Sequence, residues 1–171
     1  NVNTHKDYHV GHLRNLCLGD SLTHLLNFSG YKVIPVSYLN DLGIQAAKVL
    51  WKLNQIPENQ RPHENLGRYL GEIYTQASQE LSNNPVGQEE ASLILRRLEA
   101  KQQPEYGQWQ ETRQWSLDYF NQIYEELDIH WAYTFFESDF LAEGRKLVQD
   151  MLTAGILEQN DGAILANLEP D

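Results

Sequence analysis

Residues 11–39 change periodicity across a single break, and no other feature of the chain constrains the fold as much. Between 11 and 28, Leu13, Leu16, Cys17, Leu22, Leu25, Leu26 and Phe28 fall with a helical period and predict one apolar face of an amphipathic helix. Ser29-Gly30 closes it, with Gly30 placed for a left-handed cap. "YKVIPVSYL" (31–39) is then rich in β-branched and aromatic residues and predicts a strand, although Pro35 removes a ladder donor. Residues 1–10 read as a strand end and a loop, and 42–55 as a second helix. The order β-loop-α-β-α is the start of a parallel sheet.

The middle of the chain is different. "NQIPENQRPHEN" (54–65) is a polar linker with two prolines. Three helical segments follow, at about 66–82, 87–102 and 106–128. The last carries Trp109, Ser116, Phe120, Ile123, Tyr124 and Leu127 as a buried stripe, and its end, 125–128, is expected to face solvent. The final third returns to β: a strand at 129–137, a helix at 139–154 ending at Gly155, and a hairpin at 155–168 turning on Asn160-Asp161-Gly162. No internal repeat or low-complexity segment occurs.

Composition removes several function classes. Apolar residues make up 41% of the chain, enough for a folded domain of 171 residues. Asp and Glu number 24 against 13 Lys and Arg, a net charge of −11, so a strong nucleic-acid surface is not expected here. No apolar run reaches the ~18 residues that a membrane span needs. Cys17 is the only cysteine, so no internal disulfide can form, and a cytoplasmic location is expected. Flanked by Leu16 and Leu18, its thiol is expected to be buried and inert. The chain does not start with Met and is expected to be a piece of something longer.

"NTHKDYHVGHLRN" (3–15) places His5, His9 and His12 at the mouth of the first helix. A metal site is one reading, but Gly11 and the loop break regular ligand spacing and no cysteine is in range, so no metal ligand is assigned. A phosphate site is the second. A strand-loop-helix turn points free N–H groups and the positive helix end at an anion, and histidines there add donors that strengthen as charge develops. Gly11 would let a base or ribose approach the backbone. Ordinary solvent histidines are the third reading, and these residues alone leave the choice open.

The wider context resembles the arginyl-tRNA synthetases. His9-Val10-Gly11-His12 has the pattern of the class I HIGH signature, preceded by Asn3 and Lys6 and followed by Leu13-Arg14, with Gly19-Asp20 further on. "YKVIPVSYLNDLGIQ" is similar to that family's second landmark, here Tyr38, Asn40, Asp41, Gly43 and Gln45. "LGRYLGEIY", the 109–127 helix and "DGAILANLE" continue the resemblance over essentially the whole chain. Other HIGH-type nucleotidyltransferases place a Gly-x-Phe-Asp-type stretch before the histidines, which this chain lacks.

The resemblance implies an α/β fold: a Rossmann-like parallel-sheet half of HIGH type (residues 1–57), then a connective insertion (58–171) that is helical over 62–128 and strand-helix-hairpin over 129–171. It implies ATP-dependent arginylation of tRNA, with ATP, L-arginine and tRNA as partners and Mg2+ beside the triphosphate. His9 and His12 would be catalytic and contact ATP phosphates, Gly11 would lie under the adenosine, and Lys6 would sit beside the nucleotide. Asn3 would contact arginine, and Tyr38, Asn40, Asp41 and Gln45 would shape the pocket wall. Val2 and Asp7 stand where the family commonly has proline and Leu42 where Trp is frequent, departures expected to loosen the loop. His5 is expected to be a loop residue without a role. No KMSKS-type loop and no Arg-Ser-Asp-Gly-Thr-type stretch is present in the chain, so the piece alone is expected to be inactive. The alternative is a non-catalytic paralogue serving as a nucleotide-binding or interaction module.

Overall fold

The structure is a computed structural model, and it describes residues 2–160 and 163–166. The chain divides into two compact units, Asn1–Phe136 and Glu137–Asp171. The first holds α1 (Val10–Phe28), β1 (Val36–Leu39), α2 (Ile44–Leu53), a 3₁₀ turn (Glu58–Gln60), α3 (Leu66–Leu81), α4 (Pro85–Glu99), α5 (Glu105–Glu126) and β2 (Tyr133–Phe136). The second holds α6 (Glu137–Thr153), β3 (Glu158–Asn160) and β4 (Ala163–Leu165). Among the described residues no helix is long and apolar enough to cross a membrane.

The sheet of the first unit is parallel, as the order of elements implied. β1 pairs with β2 in the register Val36↔Tyr133 to Leu39↔Phe136. On the other side, Asn3 forms an isolated parallel bridge with Asn40, and the Thr4 amide donates to the Asn40 carbonyl at 3.0 Å. Three chain segments therefore run in one direction, and helices α2 to α5 lie in the connection between β1 and β2. In open parallel sheets, ligands bind in the crevice beyond the carboxyl ends of the strands. Here those ends lead into residues 4–9 and 40–43.

Strand lengths depart from the sequence expectation. β1 starts only at Val36. The Pro35 carbonyl still accepts from the Ala132 amide at 2.8 Å, but its nitrogen has nothing to donate, so pairing stops there and Tyr31–Ile34 stay outside the strand. β2 is likewise confined to Tyr133–Phe136. Helix α4 starts two residues earlier than its apolar pattern suggests. Pro85 occupies the first turn, where no N–H is needed, and the Asn84 side chain accepts from the Gly87 amide at 3.0 Å.

Helices α2 to α5 share one core. Ala47, Leu50, Ala77, Leu81, Ala91, Leu98 and Trp109 are buried together. A second cluster joins α5 to the sheet and to α1 through Val2, Leu16, Leu39, Phe120, Tyr124 and Ile129. The α5 stripe is buried at Trp109, Ser116, Phe120 and Tyr124, but Leu127 is exposed beside the solvated 125–128 end.

Helix α1 corrects the sequence reading most. Of its apolar face only Leu16 is buried; Leu13, Leu22, Leu25, Leu26 and Phe28 are exposed. Cys17, expected to be buried, is exposed too. The periodicity was a correct sign of a helix, but among the described residues nothing covers that face.

In the second unit, α6 ends before Gly155, which takes φ 70° as a C-terminal cap residue. β3 and β4 pair antiparallel from Glu158↔Leu165 to Asn160↔Ala163, forming the expected hairpin. The Asp161-Gly162 turn itself lies outside the described residues.

Candidate active site

The two histidines of His9-Val10-Gly11-His12 form one interlocked unit. His9 is the N-cap of α1, in extended backbone, and its Nδ1 accepts from the Gly11 amide at 3.1 Å. The His9 amide in turn donates to Nδ1 of His12 at 3.4 Å, closing a capping box made of imidazoles. The rings stack with centroids 3.8 Å apart. Because each Nδ1 accepts, each proton belongs on Nε2, which leaves two N–H donors at the positive end of a helix of nineteen residues. Burial, the His9 ring and Lys6 hold the His12 pKa below the ordinary histidine value, so its resting form is neutral. A Cβ on Gly11 would lie 3.0 Å from His9 Cε1 and 3.1 Å from His9 Nδ1, so a side chain there would press on the capping ring.

The loop before them is gripped residue by residue by the helical segment. His5 is fully buried at a left-handed φ of 63°. Its amide donates to Ser116 Oγ at 2.9 Å, its Nε2 lies 2.8 Å from Thr112 Oγ1, and its Nδ1 lies 2.8 Å from Thr4 Oγ1. Thr112 Oγ1 already donates to the Gln108 carbonyl, so Nε2–H donates to Thr112 and Nδ1 accepts from Thr4. Burial and the nearby Arg113 charge lower the His5 pKa to about 3, so the ring is neutral. The Lys6 ammonium sits 4.6 Å over the Tyr74 ring of α3. Asp7 Oδ1 accepts from Tyr119 Oη at 2.8 Å and from the Tyr8 amide at 2.9 Å. Tyr8 packs edge-on against Phe120 and Tyr124 of α5 and against His12.

Two expectations change as a result. His5 is in a loop but is a buried anchor with three polar contacts, and the departures expected to loosen the loop do the reverse. Val2 is buried in the core, and Asp7 ties the loop to Tyr119. Burial, followed by the Asp7 hydrogen bond and charge, pushes the Tyr119 hydroxyl up to about 12, so it remains a donor at neutral pH.

The second landmark lies beside the start of this loop. Asn40 pairs with Asn3 through the backbone bridge. Asp41 is buried, and its carbonyl accepts from Trp109 Nε1 at 2.7 Å, with Thr4 Oγ1 3.3 Å away. Arg113 Nε lies 2.6 Å from Asp41 Oδ2 but makes no hydrogen bond of good angle, so charge rather than a linear N–H···O contact holds that pair. The Arg113 guanidinium lies 3.9 Å over the Phe136 ring. Gln45 is half-buried in the first turn of α2 with its Oε1 beside Gly43, and Tyr38 is partly exposed at the end of β1. Asn3 and Asn40–Asp41 are therefore adjoining, and His9 and His12 follow at the start of α1.

Sequence reasoning missed Thr112, Arg113, Tyr119 and Tyr74. The signal for the first was Ser116: a hydroxyl in an otherwise apolar buried stripe needs a partner. Arg113 and Tyr119 gave no such sign. Among the described residues, no group of three or more His, Cys, Asp or Glu gathers where it could hold a metal ion.

Comparison with known proteins bears on the same residues. The family model described as tRNA synthetases class I (R), catalytic domain, matches residues 1–170. An arginine–tRNA ligase of Bdellovibrio bacteriovorus is 34% identical over 99% of this chain, and one of Treponema denticola 30% identical over 98%. The chain spans 30% of the length of each. Two solved structures share the fold. The arginyl-tRNA synthetase of Plasmodium falciparum matches with a TM-score of 0.73 at 20% identity, covering 99% of this chain and 28% of that one. That of Thermus thermophilus matches with a TM-score of 0.67 at 25% identity, covering 93% and 27%. With the HIGH-type histidine pair, the second landmark and the parallel sheet all within the matched span, the chain belongs to the arginyl-tRNA synthetase family of class I catalytic domains.

Proposed function

We propose that this chain is the ATP-signature half of an arginine–tRNA ligase. In the reaction, an arginine carboxylate oxygen attacks the α-phosphorus of ATP, the bond to the bridging oxygen breaks and pyrophosphate leaves. The terminal ribose hydroxyl of tRNA then takes the arginyl group and AMP leaves. The observation that carries the reading is the imidazole capping box beyond the carboxyl ends of a parallel sheet. It offers two Nε2–H donors and a helix N-terminus where a triphosphate would lie.

His9 and His12 would contact the phosphate oxygens and stabilise charge as the α-phosphorus becomes pentacovalent. Gly11 would lie beneath the adenosine and Lys6 beside the nucleotide. Asn3 would hold arginine, and Tyr38, Asn40, Asp41 and Gln45 would shape the pocket wall. Residues 1–57 would be the first half of the catalytic domain and 58–171 the connective insertion, whose helices support the loop. A cytoplasmic site of action accords with the single cysteine. Mg2+ would partly neutralise the triphosphate, but with no cluster of acidic or histidine ligands among the described residues, no step is assigned to it.

Arginine-dependent exchange between ATP and pyrophosphate by the intact protein, with and without tRNA, tests the proposal. Exchange with arginine alone among the amino acids is expected. Exchange driven by a different amino acid would overturn the assignment, and ATP binding without exchange would favour the nucleotide-binding module.

A further inference from the structure

The proposed arginine end and ATP end of the site are anchored by different means. The ATP end is held by the mutual capping of His9 and His12 and by apolar packing of Tyr8 on Phe120 and Tyr124 of α5. Asn3 makes only its backbone bridge to Asn40 among the contacts described above. The next two residues carry the attachment to α5. Thr4 Oγ1 touches both His5 Nδ1 and the Asp41 carbonyl, and His5 spans from Thr4 to Thr112 and Ser116. Both hydroxyl partners stand on α5 one turn apart, and the same helix supplies Trp109 and Arg113 to Asp41.

We propose that His5 is a positioning residue: by bridging Thr4 to Thr112 and Ser116 it fixes Asn3 and the Asn40–Asp41 wall on α5, and so sets arginine binding rather than ATP binding. This role presupposes the arginine-activating site proposed above. A buried ring with both nitrogens paired, in a backbone conformation that histidine adopts at a cost, is over-determined for a residue that merely fills space. Losing one partner leaves a buried donor unmet, and the other loop contacts with α5 described above, Asp7 with Tyr119 and Tyr8 with Phe120, lie on the far side of His5 from Asn3.

The test uses the intact protein and arginine-dependent exchange. Thr112→Val keeps the side-chain shape and removes the Nε2 acceptor. It is expected to raise the arginine KM about ten-fold, with the ATP KM and kcat within about two-fold. Asn3→Ala should then cost clearly less in the Thr112→Val background than in the wild type, because the variant has already released Asn3. His5→Asn, which tolerates the left-handed backbone and retains one polar contact, should lie between wild type and His5→Ala in arginine KM. If His5→Ala does not fold, Thr112→Val decides alone. An unchanged arginine KM, equal changes in arginine and ATP KM, or simple additivity with Asn3→Ala would overturn the role. A wild-type protein without arginine-dependent exchange would instead overturn the site assignment on which the role depends.

Discussion

At the scale of single residues, His5 in the loop and His12 in the first turn of α1 stand in opposite electrostatic settings. His12 stands half-exposed at a helix N-terminus, where an arriving phosphate would strengthen its donor. If that interaction matures only in the transition state, His12→Ala in the intact enzyme should lower the rate of adenylate formation roughly 100-fold while changing arginine affinity little. Single-turnover adenylate formation alongside arginine binding checks this, and equal losses in both would count against the role. His5 is the reverse case, buried and neutral with its pKa lowered from 6.5 to about 3. The unfolded chain binds a proton to this residue below pH 6.5 and the native state does not, so its burial favours unfolding increasingly as pH falls from 6.5 toward 3. Stability is expected to fall by about 1 kcal/mol per pH unit across the upper part of that window, and His5→Asn should flatten the slope. Denaturant titrations of both proteins at pH 7, 6 and 5 would show it. A variant that kept the wild-type slope would assign the acid sensitivity to carboxylates instead.

At the scale of elements, the site is assembled by helices that lie far from it in sequence. Helix α3 carries Gly67 and Gly71 one turn apart, and both are places where another chain segment lies too close for a side chain. A Cβ on Gly67 would fall 2.3 Å from Tyr119 Cβ and 2.6 Å from the Trp115 carbonyl of α5; one on Gly71 would fall 2.6 Å from Asp7 Cβ and 2.8 Å from its amide. Gly71→Ala should therefore displace the loop rather than merely crowd a flexible side chain. A destabilisation of about 2 kcal/mol is expected, together with loss of the Tyr119–Asp7 contact. Thermal unfolding and the fluorescence titration of Tyr119 read these two effects, and an alanine tolerated without either would refute the close packing. The elements themselves were legible in the sequence, because amphipathic period, glycine caps and the Asn-Asp-Gly turn are local signals. Pro35 correctly marked the strand as defective, though not that it would cut the strand short. What was not legible is the grip of α5 on the loop. Thr112 and Arg113 are ordinary helix-surface residue types, and only the parallel pairing of β1 with β2 brings their helix back over residues 3–8 and 40–41. Likewise Asp7 reads as a lost proline until Tyr119 is placed opposite it.

At the scale of the whole molecule, two apolar surfaces are exposed where folding principles call for burial. Parallel strands are normally covered on both faces. Here Val36 and Tyr38 of β1, with their register partners Tyr133 and Phe135 of β2, form one exposed face of the sheet. On α1, Leu18, Leu22 and Leu25 recur at helical spacing and are exposed, with Leu26 beside them. A side chain of this size gains ~1.5–3 kcal/mol when fully buried, so several of them together supply ample drive for association. The apolar period of α1 marks a helix with one apolar face, and among the described residues that face is exposed. The relatives are more than three times the length of this chain, since it spans 30% of each. The purified 171 residues are therefore expected to self-associate, to bind an apolar dye, and to show no arginine-dependent ATP–pyrophosphate exchange. Replacing Leu22 and Leu25 together by serine should reduce dye binding and association without restoring exchange, because the surface and the chemistry fail for separate reasons. Light scattering, dye fluorescence and exchange on the same preparations distinguish them. A monomeric, dye-silent chain would contradict association through the exposed faces, and robust exchange would overturn the proposal that these residues hold only half of the site.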